Sequence, residues 1–303
     1  MYKAVRTVAV LAVLGLTAAC GGKATGSDGH VDVVAAFYPL QYVTEQVGGD
    51  HVKVTNLVAA GAEPHDLELT PRQVGAVGQA GLVVYLSGFQ PNVDGAVANE
   101  AKDHSLDVAT VAPLHNGYTP IEAGQLQQGE TGKDPHIWLD PTRLAGVADA
   151  VAARLAKLDG AHAAEFTKNA AALRTKLTAL DGEYRTGLAH CTSHTIVVSH
   201  NAFGYLAERY GLTEIGITGL TPEAEPAPGR LAEVAQLAEQ RKIRVIFFET
   251  LVSPRIAETL AAEVGAKAEV LDPIEGLKPG NTGDYISVMR SNLATLRSAL
   301  GCS

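Results

Sequence analysis

Six short apolar, β-branched runs recur along the chain, at 31–36, 53–58, 82–86, 195–199, 245–248 and 268–271. Each is followed by Gly, Pro or Asp and then by a helical pattern, the alternation that builds βα units around a parallel sheet. The runs fall into two sets of three. Between the sets, 141–189 is dominated by Ala, Leu, Lys, Arg and Glu with few breakers, which predicts helix. Asp140-Pro141 supplies a cap and a proline for the first helical turn, and Asp159-Gly160 interrupts the pattern before a second helix from about Ala161. A helix of about 28 residues is roughly 40 Å long, enough to run the length of a domain as a stiff connector. The expected organisation is α/β with two lobes: an N-terminal lobe over 31–160, a connecting helix over 161–190 and a C-terminal lobe over 191–303. Two stretches lack periodicity. Residues 116–134, rich in Gly and Gln, read as a mobile surface loop, and 218–229 carries Pro222, Pro226 and Pro228.

The first nineteen residues stand outside this pattern. Lys3 and Arg6 precede an apolar run, 7–16, that ends in small residues before Cys20, as in a signal peptide. The run is too short to span a bilayer as a stable helix. Thr17-Ala18-Ala19-Cys20 resembles a bacterial lipobox, although Leu16 lies one position further from the cysteine than usual. Cys20 is therefore expected to carry the lipid anchor, with 20–30, rich in Gly, Ser and Thr, as its tether. A secreted chain without the anchor is the alternative. The formal charge of -9 becomes -11 when Lys3 and Arg6 leave with the signal peptide. An acidic surface argues against nucleic acid and favours cationic partners. The two remaining cysteines, Cys191 and Cys302, are expected to pair as a disulfide outside the cytoplasm, since a metal site would call for CxxC spacing.

Ten histidines are distributed along the chain. His30, His51, His104, His162, His190 and His194 lie in the tether, turns or helix surfaces, where a solvated side chain is expected, and His115 is ambiguous. Three are placed differently. His65 lies in Glu63-Pro64-His65-Asp66 after a strand, His136 lies in Asp134-Pro135-His136-Ile137-Trp138 beside the single tryptophan, and His200 directly follows the strand 195–199. Ligands of parallel α/β sheets collect at the carboxyl ends of the strands, where these three would meet. Singly, each could equally be a packed or capping residue. Asp272, ending the strand 268–271 before Pro273, is a fourth candidate, with an ordinary turn aspartate as the competing reading. Glu63 and Glu249 are reserve carboxylates, and Asp66 could hold the ring of His65.

Three imidazoles and one carboxylate form a borderline-soft donor set that suits tetrahedral Zn(II) at about 2.0–2.2 Å. Copper(I) would want sulfur, and only Met289 remains after the signal peptide. Calcium or magnesium would want an oxygen cage.

At these residues the sequence resembles the solute-binding proteins of zinc and manganese ABC importers, the cluster A-I type that includes zinc-uptake lipoproteins. The resemblance rests on Glu63-Pro64-His65-Asp66, 134–140, His200-Asn201-Ala202-Phe203-Gly204-Tyr205, Ser253-Pro254-Arg255 and Leu271-Asp272-Pro273. It implies two Rossmann-like lobes joined by one long helix, with metal in the cleft between them. It carries ligand roles onto His65, His136, His200 and Asp272, and favours Zn(II) over Mn(II), since manganese members commonly have Glu in place of His200. An ABC importer permease is the implied partner, the membrane is reached through the lipid anchor, and a monomer is expected. Many zinc members carry a His-rich loop before the second ligand; here 116–134 has no histidine. The rivals are a manganese or mixed-metal binding protein, a secreted zinc hydrolase and a surface adhesin. A hydrolase needs an open position for water and a general base, and no HExxH spacing occurs.

Overall fold

The computed structural model describes residues 29–116 and 132–303. The signal peptide, Cys20, most of the tether and most of the loop expected at 116–134 lie outside the described residues. The N-terminal lobe begins with β1 (Val31–Ala35), α1 (Tyr38–Gly48), β2 (Val52–Asn56), α2 (Pro71–Gln79), β3 (Leu82–Tyr85), α3 (Pro91–Ala96) and β4 (Ser105–Asp107). Its strands are all parallel, in the order β2-β1-β3-β4. The apolar runs of β1 and β3 are almost wholly buried because helices cover both faces of the sheet.

Two helices follow, α4 (Pro141–Leu158) and α5 (Ala163–Gly187). Asp140 caps α4 by accepting from the Thr142 backbone N–H at 2.8 Å, and Pro141 fills the first turn, as the residue pattern predicts. The C-terminal lobe contains β5 (Thr195–Val198), α6 (Gly204–Tyr210), β6 (Thr213–Gly216), α7 (Pro228–Gln240), β7 (Val245–Phe248), α8 (Arg255–Glu263), β8 (Lys267–Val270) and the final helix α9 (Tyr285–Leu300). The second sheet repeats the topology of the first in the order β6-β5-β7-β8, again parallel. Two strands, β4 and β6, are additions to the six expected from hydrophobic runs. Ser105-Leu106-Asp107 has a single apolar residue, and β6 carries a buried charge-bearing residue, Glu214. Neither shows the apolar signal that marks a strand in sequence.

The 25 residues of α5 make it about 37 Å long. It begins where α4 turns back, beyond the amino ends of the first sheet's strands. From there it packs on α1 and α4, then reaches α9 of the second lobe. Its buried stripe, Phe166, Ala170, Leu173, Leu177, Leu180 and Tyr184, recurs at helical spacing. The Tyr184 hydroxyl donates to the Met289 carbonyl at 2.7 Å. One continuous apolar core therefore includes β1, β3, α4, α5 and α9 and crosses the lobe boundary, while a smaller cluster under α7 and α8 occupies the far face of the second sheet. A shared core opposes free hinging of the lobes.

Beyond α5, Cys191 is disulfide-bonded to Cys302 and fastens the start of the second lobe to the chain end. The bridged cysteines are 111 positions apart in sequence, so loss of the bridge releases considerable chain entropy on unfolding. Replacing both cysteines by serine is expected to lower stability by about 2–5 kcal/mol in urea denaturation. A loss below about 1 kcal/mol would show that the α9 packing alone secures this end.

Candidate metal centre

The carboxyl ends of both sheets face one another, and the loops leaving them supply the polar groups between the lobes. His65 comes from the loop after β2. Its backbone N–H donates to Glu63 Oε2 at 2.8 Å, and Gln90 Nε2 holds the Pro64 carbonyl at 3.1 Å. Gly61, at φ +84°, lets this loop turn sharply enough for its N–H to reach the Leu277 carbonyl of the other lobe at 2.9 Å. A Cβ there would lie 2.8 Å from Pro279 Cδ, so this contact between lobes needs glycine.

His136 precedes a single helical turn, Ile137–Leu139, and is completely buried. Asp134 fixes it twice: the same Oδ1 accepts the His136 backbone N–H at 2.9 Å and lies 2.7 Å from Nδ1. The Tyr205 hydroxyl donates to the Asp134 carbonyl at 2.9 Å and so ties this turn to α6. Trp138 lies 5.2 Å from the His136 ring and packs against Phe37 and Phe89. His200 leaves β5 with Nδ1 2.8 Å from Glu249 Oε1, at the end of β7, and that oxygen also accepts from Ser199 Oγ at 2.6 Å. In His136 and His200 the carboxylate at Nδ1 orients the ring and turns Nε2 inward.

The Nε2 atoms of His65, His136 and His200 converge on one carboxylate oxygen, Glu275 Oε1, at 3.3, 3.1 and 3.2 Å. The Nε2 atoms of His136 and His200 are 3.4 Å apart. These four residues form a group whose donor atoms all lie within 4.8 Å of one another. Their side chains are at most 8% exposed.

Asp272, expected to supply the carboxylate, lies outside this group. Its Oδ1 accepts the Ile274 N–H at 2.8 Å and its Oδ2 the Thr250 hydroxyl at 3.0 Å, while its backbone exchanges two hydrogen bonds with Asn292. Asp272 thus closes the turn that presents Glu275 three residues later. Ile274 in that turn has φ +59°, a strained conformation for a β-branched residue, and Trp138 Nε1 donates across the lobes to the Pro273 carbonyl at 2.6 Å. Glu275 lies in the same loop beyond β8 as Asp272, three residues further from the strand end at which a ligand is expected. Asp66 is exposed, and Glu63 is the carboxylate that reaches His65. His115 stands apart, bonded to Glu208 and Arg143.

Burial disfavours the charged forms of Glu275, His136 and His200, yet their pairing overrides it. The Glu275 carboxyl is pushed up by burial but held well below its usual range by the imidazoles of His136, His200 and His65. Burial lowers His200, but Glu249 and Glu275 raise it well above the ordinary imidazole value, and Asp134 and Glu275 likewise raise His136. Glu63 shows the opposite balance, its carboxyl raised by burial and by the neighbouring charges of Glu275 and Glu223. Behind the group, Glu214 accepts the Phe203 N–H at 2.8 Å and is pushed up to about 8, chiefly by burial. Protons and a divalent cation would therefore compete for the carboxylate-paired imidazoles of His136 and His200.

Over residues 33–299 the chain matches the family described as ZnuA, zinc-uptake complex component A periplasmic. The chain belongs to the ZnuA family. It is 32% identical over 303 residues to the high-affinity zinc uptake system protein ZnuA of Bacillus subtilis, covering 94% of each chain. It is 36% identical over 282 residues to the zinc-binding lipoprotein AdcA of Streptococcus pneumoniae, covering 89% of this chain and 56% of AdcA. This ZnuA-family chain thus spans little more than half of that relative. The Zn(II)-bound ZnuA-like domain of S. pneumoniae AdcA has a similar structure, with a TM-score of 0.74 at 34% identity over 90% of this chain and 99% of the domain. The two parallel-sheet lobes and the long helix are those expected of the ZnuA family.

Proposed function

We propose that this chain captures Zn(II) outside the cytoplasm, bound by His65, His136, His200 and Glu275, and delivers it to the permease of an ABC importer. The observation that carries the reading is the convergence of three imidazoles and one carboxylate, drawn from both lobes, in a space closed to solvent. Four donors fill a tetrahedral zinc shell and leave no position for a catalytic water, which favours binding over hydrolysis. The three-to-one ratio of nitrogen to oxygen favours Zn(II) over Mn(II). Relatives described as zinc-binding and zinc-uptake proteins support the cargo, and the lipoprotein among them supports anchoring through Cys20. On this reading the mature chain is a membrane-anchored monomer, and release depends on the permease disturbing the centre, because the shared core opposes wide opening.

Native mass spectrometry with competing Zn(II) and Mn(II) tests the cargo. Zn(II) held against excess Mn(II), with one fewer zinc per chain in His200→Ala than in the parent, is expected; an unchanged zinc count in the variant would reject the assignment. A second expected outcome concerns pH. The ion must displace protons whose affinity for His136 and His200 is raised by the carboxylates, so binding is favoured at high pH and opposed as protons return. Zinc affinity is expected to fall at least tenfold between pH 7.5 and 5.5. Equal dissociation constants at the two values in a calorimetric titration would contradict proton competition.

A further inference from the structure

Two histidines that sequence context assigned to solvent come together at the far end of the N-terminal lobe. His51 ends the turn between α1 and β2, while His162 ends the turn between α4 and α5, 111 residues later. Their rings stack with centroids 3.7 Å apart and planes 16° from parallel, and Phe166 meets His51 edge-on. Each ring has its own carboxylate: His162 Nδ1 lies 2.5 Å from Asp159 Oδ2, and His51 Nε2 lies 2.9 Å from Glu165 Oε2. Donor atoms of His51, Asp159 and His162 all lie within 4.8 Å of one another.

We propose that His51, Asp159, His162 and Glu165 form a second site for a borderline divalent ion, separate from the centre between the lobes. The donor set is two imidazole nitrogens and two carboxylate oxygens, which suits Zn(II) and neutralises its charge. Without an ion, charging both stacked rings opposes their contact, and the two carboxylates repel each other. A dication satisfies all four groups at once. Binding needs the rings to rotate out of the stack, so that one nitrogen of each faces a common centre, and the donors to contract to about 3.4 Å, the spacing set by bonds of about 2.1 Å. The positions permit that movement: the His51, His162 and Glu165 side chains are 23%, 41% and 51% exposed, whereas Asp159, at 9%, is the fixed member. The ion would bind the turn before β2 to the start of α5, at the opposite end of that helix from the Cys191–Cys302 bridge.

Equilibrium dialysis of the full mature chain against Zn(II), with bound metal counted per chain, tests the site. Two ions are expected for the parent protein and one for His51→Ala/His162→Ala, whose remaining ion keeps the parent's tighter affinity. With the interlobe centre disabled by His136→Ala/His200→Ala, one ion is expected to remain, and adding His162→Gln at its half-exposed position should weaken that ion at least tenfold. Circular dichroism melts confirm folding of each variant, and His162→Gln alone replaces the double variant if that one unfolds. Binding of a single ion by the parent, or a second ion indifferent to these substitutions, would overturn the proposal.

Discussion

Glu275→Ala is expected to weaken zinc binding by more than 100-fold, whereas Asp272→Asn should change it by less than tenfold. Removing a group that merely orients a metal ligand costs about 10–100-fold in affinity. Glu275 is the common partner of all three Nε2 atoms, and its loss leaves three imidazoles with no anionic donor among them. Asp272 engages one oxygen with the Ile274 N–H of its own loop and the other with the Thr250 hydroxyl of the loop after β7, and an asparagine oxygen can still accept the Ile274 N–H. Competition titrations with a chelator of known affinity would read both constants. Equal losses for the two variants, or a larger loss for Asp272→Asn, would return the ligand role to the aspartate and displace Glu275 from the centre.

The second large effect is on stability. Trp138→Ala is expected to cost about 3–5 kcal/mol, the range for truncating a fully buried large aromatic side chain. Trp138 is 1% exposed, packs against Phe37, Phe89 and His136, and donates to the Pro273 carbonyl of the other lobe. Trp138→Phe separates these contributions. It keeps most of the apolar contact and removes the donor, so it should lose about 1–3 kcal/mol from the unpaired carbonyl and the vacated volume. Urea unfolding followed by circular dichroism measures both. A cost below about 1 kcal/mol for Trp138→Ala would mean the surrounding rings close over the gap, and the interlobe hydrogen bond would then contribute nothing measurable.

The legible part of the fold was the part whose signal is local. Runs such as Leu82-Val83-Val84 are apolar because helices cover both faces of their strand, and the α4–α5 pair was visible from Asp140-Pro141, Asp159-Gly160 and the alanine-rich stretch. β4 and β6 were invisible because a three-residue edge strand and one holding Glu214 owe their existence to pairing partners. The three histidines converging between the lobes were legible because each sits in a proline turn or at a strand end. Glu275 was not, since a left-handed residue at Ile274 decides which carboxylate of that loop turns inward. The partners Asp134 and Glu249 lay within or beside recognised motifs, but which nitrogen each holds follows from tertiary distances alone. The meeting of His51 and His162 depends wholly on how α4 and α5 fold back upon α1.

The long helix α5 sets both the spacing and the phase of the two halves. Deleting one residue from its middle would shorten it by about 1.5 Å and turn everything downstream by about 100°. His200 and Glu275 would then face away from His65 and His136. Deleting seven residues, close to two full turns, would nearly restore the angle yet draw the halves about 10 Å nearer, into collision. The number of residues in this one segment is therefore as much a determinant of ion capture as the donors themselves.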